Sequence, residues 1–480
     1  VFIPGEEAFG AVHDWLPDPG SVVCWHPSPA TLTKVRGAPI SAVPASHQQA
    51  RHLRNFVDHA GRGVDMSRLC IGSWDMPGRC DIRVLTYVLN AHLRRHDTYH
   101  SWFEFADGDR ILRHTVPNPA DIKCVPVKHD EMTPEDFREH IVATPSPLEW
   151  DCFRFAVIQR ADHFTFCFSI DHLYIDAQFL GAMRMELYLM YTSLLAGGAP
   201  PALPAPGSYE KYCVQQHEYT SALTLDSPQV QAWVDFFEQN DGTLPECPVS
   251  LGDGSGACDL MFVRLMDERQ TADFESACID AGGRFSGGVF ASAALAQYEL
   301  TGAETYYGLV ACDTRSSREE FLTVGWFTGF VPITIPIGSS SFGAAVRTAQ
   351  QSFDSGKALA NVPFARVLEL APWLNMPQGR VPLLFHLDAS SPPLSTIVKA
   401  DWGGSNIKIH HDGGVPVRFD LRVNRYENET HAMVFFPDNP VARESVTRYL
   451  ETLKSIYLRV AEGRGGAPLW GAAALERQLV

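Results

Sequence analysis

Seven uncharged residues, Phe164-Thr-Phe-Cys-Phe-Ser-Ile170, run straight into Asp171-His172-Leu-Tyr-Ile-Asp176-Ala177. An apolar run of this length reads as a strand covered on both faces, with Phe153 to Ile158 as its hairpin partner and Arg160-Ala161-Asp162 as the turn. After Ala177 the period changes. Phe179, Leu180, Met183, Met185, Leu187, Leu189, Met190 and Leu194 predict a largely apolar helix up to Gly197-Gly198. His172 and Asp176 therefore fall on a strand-to-helix connection. There the rim of a core exposes side chains while the flanking elements hold them still, as a general base requires. A hydrogen-bonded structural pair is the commoner use of a His near an Asp, and both readings stand on these residues alone.

The motif resembles His-His-x-x-x-Asp-Gly of the chloramphenicol acetyltransferase-like superfamily of thioester-dependent acyltransferases, which includes the condensation domains of peptide synthetases. Asp171 replaces the first His and Ala177 the Gly; the second His, the family's base, falls on His172. Four further elements resemble condensation-domain signatures in the right order: Arg95-His96-Asp-Thr-Tyr99-His-Ser-Trp102-Phe103, Gly325-Trp326-Phe327-Thr328-Gly329, Pro363-Phe364-Ala-Arg366-Val-Leu368 and Phe419-Asp420-Leu421. Longer runs around 91–104, 325–332, 362–373 and 436–446 look similar to the mycobacterial polyketide-associated acyltransferases (the Pap family) that decorate trehalose glycolipids. The resemblance implies an α/β fold with mixed sheets, built as two pseudo-symmetric lobes with a channel between them.

At 480 residues, two domains are the default. The Pro- and Gly-rich stretch from Ala196 to Gly207 divides an N-terminal lobe, 1–207, from a C-terminal lobe, 208–470, and residues 471–480 read as a vector-derived tail. In the second lobe, helices are expected near Val230 to Gln239, Gly288 to Leu300 and Val441 to Val460. His431 to Phe436 reads as a strand, and Val331 to Ile337 as an edge or crossover segment because its prolines remove ladder donors.

A net charge of −17 without a Lys/Arg cluster argues against nucleic acid and anionic membrane surfaces as partners. Eleven cysteines, none in a Cys-x-x-Cys pair, point to reduced cytosolic usage rather than a disulfide frame or zinc site. With no signal-like start and no apolar run near the roughly 20 residues that span a bilayer, a cytoplasmic protein is expected, near the inner membrane face if its lipid product is exported. His410-His411-Asp412 followed by Gly413-Gly414 reads as an exposed turn, and no metal is assigned. Gly252-Asp-Gly-Ser-Gly256 reads as a plain connector rather than a phosphate loop.

Acyl transfer from a thioester to an alcohol needs a base for the hydroxyl proton and a donor for the oxyanion. A neutral imidazole serves as the base, and no Gly-x-Ser-x-Gly nucleophile motif is present. Asp176 could orient His172 directly; the resemblance instead pairs it with an Arg of the second half, Arg315 or the nearby Arg318. Asp171, pointing to the opposite strand face, is expected to be structural; in a channel it would favour the imidazolium of His172. Thr328 is the candidate oxyanion donor, one position early against the family's Asn, and Trp326 and Phe327 are core or channel lining.

The expectation is thus an acyltransferase moving a long-chain fatty or polyketide acyl group from coenzyme A or a polyketide synthase acyl carrier protein to a hydroxyl of trehalose or a trehalose-based glycolipid. His172 is the base, Asp176 the organiser, and no cofactor is required beyond the thioester donor. A degenerate condensation-type domain that binds carrier proteins without chemistry is the alternative motivated by the lost first His. An amide-forming condensation enzyme is another, because the same base would serve an amine.

Overall fold

The computed structural model describes residues 8–337, 341–377, 380–392, 394–399 and 405–463; the tail at 471–480 lies outside the described residues. The chain divides into two compact units. The first comprises Val1–Ser221, Arg315–Phe327 and Thr396–Val415, and the second Ala222–Thr314, Thr328–Ser395 and Pro416–Val480. A single cut after Gly207 does not describe this division. The helix Tyr209–Ser221 stays with the first unit because Asp97 accepts hydrogen bonds at its start from Ser208 Oγ (2.5 Å) and Tyr209 N–H (2.8 Å). The strand Ser405–His411 returns to pair antiparallel with Leu69–Pro77.

Among the described residues, the first unit holds a seven-stranded mixed sheet in the order Phe9–Ala11, Ser405–His411, Leu69–Pro77, His163–Asp171, Phe153–Gln159, Gly20–Pro27, Cys124–Met132. The expected hairpin is its centre, with Phe155 opposite Phe168. Phe164, Phe166, Phe168 and Ile170 enter one core with Trp74, Phe155 and Leu187, while Cys167 faces a second with Leu69, Ile71 and Phe137. Burial on both faces explains the missing polar alternation. Each buried phenylalanine contributes roughly 2 kcal/mol by removing its ring from water. A three-stranded sheet, Ile40–Ser41, Arg110–Thr115 and Ser101–Ala106, completes the unit's strands.

The second unit holds a six-stranded mixed sheet in the order Cys258–Asp267, Glu429–Pro437, Phe419–Arg425, Pro382–Asp388, Thr305–Asp313, Thr328–Pro336. The last of these, carrying Pro332 and Pro336, is an edge strand, where a missing ladder donor is tolerated. The alanine-rich helix Phe285–Thr301 is buried, and Pro440–Ala461 packs Val446, Tyr449, Leu450, Leu453, Ile456 and Tyr457 into the same core. No helix among the described residues is long and apolar enough to cross a membrane.

His410, His411 and Asp412 are not an exposed turn. Both histidines end a strand and are buried, and the Asp412 carboxylate accepts hydrogen bonds from Ser67 Oγ and from the backbone N–H groups of Arg68 and Leu69, each at 2.8 Å. The chain does leave the strand at these glycines, with Gly413 at a φ of 80°, but Gly414 is packed against residues 66 and 67. A Cβ on Gly414 would lie 2.4 Å from Ser67 N.

Candidate active site

The residues that surround His172 and Asp176 belong to the first unit. The strand His163–Asp171 ends at Asp171, whose carboxylate is fully buried. Its Oδ1 accepts from His52 Nε2 at 2.7 Å and from Leu173 N–H at 2.9 Å; its Oδ2 accepts from Arg68 Nη1 at 2.9 Å. Burial would push this carboxyl up, but His52, with Arg68 behind it, outweighs burial and holds it below the usual carboxylate range. Both oxygens of the Asp171 carboxylate are thus held by side chains from other elements.

His172 lies in the turn that Asp171 closes. Its N–H donates to the Arg68 carbonyl at 2.9 Å, and Tyr174 N–H donates to the Asp171 carbonyl at 3.1 Å. Leu173 O accepts from Gln49 Nε2 at 3.2 Å, and the buried Tyr174 hydroxyl donates to the carbonyls of Trp150 and Ser101. The turn is thus bonded on either side of His172, whose half-buried ring lies 6.0 Å from the Trp326 ring, centroid to centroid.

Four residues on, Asp176 Oδ2 accepts from Arg315 Nη1 at 2.7 Å and from Phe327 N–H at 3.0 Å, and its Oδ1 accepts from Gln178 N–H at 3.1 Å. Arg315 also donates to the carbonyls of Glu320 and Thr323 and lies 4.3 Å over the Phe327 ring. Both side chains of the pair are about 5% exposed or less, whereas Arg318 is exposed. Of the two candidate arginines, Arg315 is the one brought to Asp176.

Two of the remaining motifs, those at Arg95 to Phe103 and Gly325 to Gly329, contribute to this frame. Arg95 and His96 pair with Glu186 of the helix Phe179–Leu195, at 3.3 and 3.0 Å. Gly325 must be glycine: a Cβ there would lie 2.3 Å from the Tyr209 ring. Tyr209 donates to Ser46 Oγ and the Trp326 carbonyl, linking Trp326 to the start of the helix His47–Gly61. Trp326 and Phe327 join Tyr209, Tyr212 and Cys213 in a small core. Thr328 opens the edge strand of the second unit, with Asp313 as its register partner.

Sequence reasoning missed His52 and Arg68, the partners of Asp171. One signal was available for His52: the start of its helix, His47-Gln-Gln-Ala-Arg-His52-Leu53, places Gln48, Gln49, His52 and Leu53 together at helical spacing, a polar stripe where an apolar one is expected.

Two groups of metal-ligating side chains occur among the described residues, Cys24 with His26 and His140, and His92 with His96 and Glu186. In the first, burial pushes the Cys24 thiol up to about 12. Burial together with Arg154 brings His140 down to about 4, and the Arg154 guanidinium lies 3.4 Å from both nitrogens of the His140 ring while donating to the carbonyls of His140 and Ala143. That guanidinium charge opposes a second cation. In the other group, burial would raise the Glu186 carboxyl, but its two histidines hold it below the usual range, and Arg95 supplies the balancing charge.

Residues 72–385 match the condensation domain family. Among characterised relatives, the 2'-acyl-2-O-sulfo-trehalose (hydroxy)phthioceranyltransferase PapA1 of Mycobacterium tuberculosis (strain CDC 1551 / Oshkosh) is 53% identical over 461 residues, covering 96% of this chain and 90% of that protein. The trehalose-2-sulfate acyltransferase PapA2 of Mycobacterium bovis (strain BCG / Pasteur 1173P2) is 52% identical over 457 residues, covering 94% and 97%. The solved structure of a PapA2 acyl transferase matches with a TM-score of 0.91 at 51% identity, over 95% of this chain and 100% of that one. The first condensation domain of the calcium-dependent antibiotic synthetase, in complex with substrate analogue 3a, matches with a TM-score of 0.67 at 16% identity, covering 88% and 96%, a likeness of fold alone.

Proposed function

This chain belongs to the condensation-domain family, and from that membership we propose that it moves a long-chain fatty or polyketide acyl group from a thioester to a hydroxyl of trehalose or a trehalose-based glycolipid. That the chain is an acyltransferase follows from relatives about half identical over most of its length. The trehalose acceptor rests on the activities for which two of them are named. The donor is coenzyme A or an acyl carrier protein.

His172 acts as the general base. Its imidazole takes the hydroxyl proton as the oxygen attacks the thioester carbonyl; the C–O bond forms, the C–S bond breaks, and the imidazolium returns the proton to the departing thiolate. One observation carries this reading. The carboxylates on either side of His172 are both bound elsewhere, Asp171 by His52 and Arg68 and Asp176 by Arg315 and two backbone N–H groups, so their bonds shape the loop while the imidazole performs the proton transfer. A neutral imidazole is sufficient for an acyl group already activated as a thioester.

Palmitoyl-coenzyme A with trehalose or trehalose 2-sulfate, followed by thiol release and mass spectrometry, tests the proposal. Acceptor-dependent release with an acyl-sugar product is expected, reduced at least about 100-fold in His172→Ala with unchanged thermal unfolding. A palmitoyl carrier protein in place of the coenzyme A ester separates the two donor types. Equal turnover by the variant would remove His172 as the base, and turnover only on an amine would replace the sugar acceptor.

A further inference from the structure

The family motif begins with two histidines, and this chain has an aspartate at the first position. The lost imidazole is returned from elsewhere in the chain: His52, 119 residues before Asp171, places Nε2 2.7 Å from Asp171 Oδ1. An ionised carboxylate only accepts, so this nitrogen carries the proton. The pair is nearly inaccessible, with side-chain exposures of 7% and 0%.

We propose that His52 is a positioning residue for the acyl transfer assigned to His172, acting through the Asp171 carboxylate. This rests on His172 being the base. The Asp171 oxygen that accepts from His52 also accepts from Leu173 N–H, closing a side-chain turn around the one residue between them, His172. The other oxygen binds Arg68, whose carbonyl accepts the His172 N–H and whose guanidinium is anchored on the carbonyls of Thr144 and Pro145. The backbone of His172 is thus gripped from both sides by groups that converge on one carboxylate, and His52 fixes that carboxylate's rotation. The His52 ring also packs edge-on to Trp326, centroids 5.5 Å apart, and Trp326 is the ring that His172 lies against. Its own helix is fixed at the start by a Ser46–Gln49 capping box, and the same Gln49 holds Leu173 O. The inversion keeps a His–Asp pair at the end of the strand while exchanging which partner the strand supplies.

Misplacement of a reacting group by about 1 Å costs on the order of 100-fold in rate. His52→Phe keeps a ring beside Trp326 and leaves Asp171 paired with Arg68, but removes the donor. A kcat about 10- to 100-fold lower is expected, with KM for the acyl donor and the sugar within twofold of the wild type and unfolding little changed. His52→Gln restores an N–H at the place of Nε2, and its kcat should return to within about threefold. Wild-type kcat in His52→Phe, or a loss in folded His52→Gln as large as that of His52→Phe, overturns the proposal. If His52→Phe does not fold, His52→Gln decides alone, since a folded variant retaining the donor must retain kcat. His172→Ala, measured alongside, separates the two failures: an inactive His172→Ala with an unimpaired His52→Phe removes only the role of His52, whereas an active His172→Ala removes the base beneath it.

Discussion

The strand His163–Asp171 leads into the helix Phe179–Leu195 through seven residues, 172–178, and the strand Glu429–Pro437 leads into the helix Pro440–Ala461 through two, 438–439. The short junction caps its helix by local rules, with Asn439 and Arg443 reaching residues 251–259 from exposed or half-exposed positions. Asn439 caps the helix by accepting from Ala442 N–H at 2.9 Å, Pro440 takes the first helical position, and Arg443 pairs with Asp438 and Asp259 at half-exposed side chains. The long junction and the strand end before it bury two carboxylates, Asp176 and Asp171, and the helix that follows has no capping bond from the side chain of Gln178. Its polar groups are held from far along the chain, by His52, Arg68 and Arg315. Stability alone does not require such a construction; a chain that keeps it is holding particular side chains in place.

The largest separation between the junctions should appear when each loses its arginine. Arg315→Ala leaves the Asp176 carboxylate buried with backbone donors and without its balancing charge, a loss of about 3–5 kcal/mol. Arg443→Ala removes exposed pairs, worth no more than about 1 kcal/mol. Urea unfolding of both variants measures the difference, and equal losses would refute the contrast.

Protonation should distinguish the same two strands. Asp171, ending the first, is held below the ordinary carboxylate range, so its stabilisation is present above an unfolded value near 4 and is lost only as the pH falls further, through the folded one. His431, within the second, is brought down to about 4 by burial. Between about 6.5 and 4 the unfolded chain binds its proton and the folded chain does not, so stability falls with pH through that window by at most about 1.4 kcal/mol per unit from this group. His431→Phe, set against the rings of Phe262 and Tyr426, should flatten the slope of unfolding free energy between pH 6.5 and 4.5. An unchanged slope would assign acid sensitivity to other groups, His410 among them.

What was legible in the sequence follows the same division. Phe164 to Ile170 could be read as a doubly covered strand, and Phe179 to Leu194 as a helix, because those signals are local: a run without charges, then a change of period. Val331 to Ile337 could be read as an edge or crossover segment from its prolines, and the strand that carries them, Thr328–Pro336, lies at the sheet edge. Arg315 came into view only through family resemblance, since nothing local ties it to Asp176 across a separation of 139 residues. His52 and Arg68 lie 119 and 103 residues from Asp171, and a carboxylate announces that it needs partners when buried without announcing which. The return of Ser405–His411 to the first sheet, and with it the burial of His410 and His411, was illegible for the same reason. Strand pairing at long range leaves no local trace.

The smallest effect tests whether the short junction is separable from chemistry. Asn439→Ala removes the cap and the donations from Nδ2 to the Leu251 and Ser255 carbonyls, and should cost about 1–2 kcal/mol while leaving acyl transfer at the wild-type rate. Asn439→Asp keeps the acceptor and should recover most of the capping part. No matching experiment exists at the long junction. There the acceptor for Gln178 N–H is Asp176, whose other oxygen holds Arg315 and Phe327 N–H, so removing the acceptor also unseats the loop that carries His172. If Asn439→Ala lowered kcat as much as stability, the distinction between a junction built for folding and one built for a reaction would not hold.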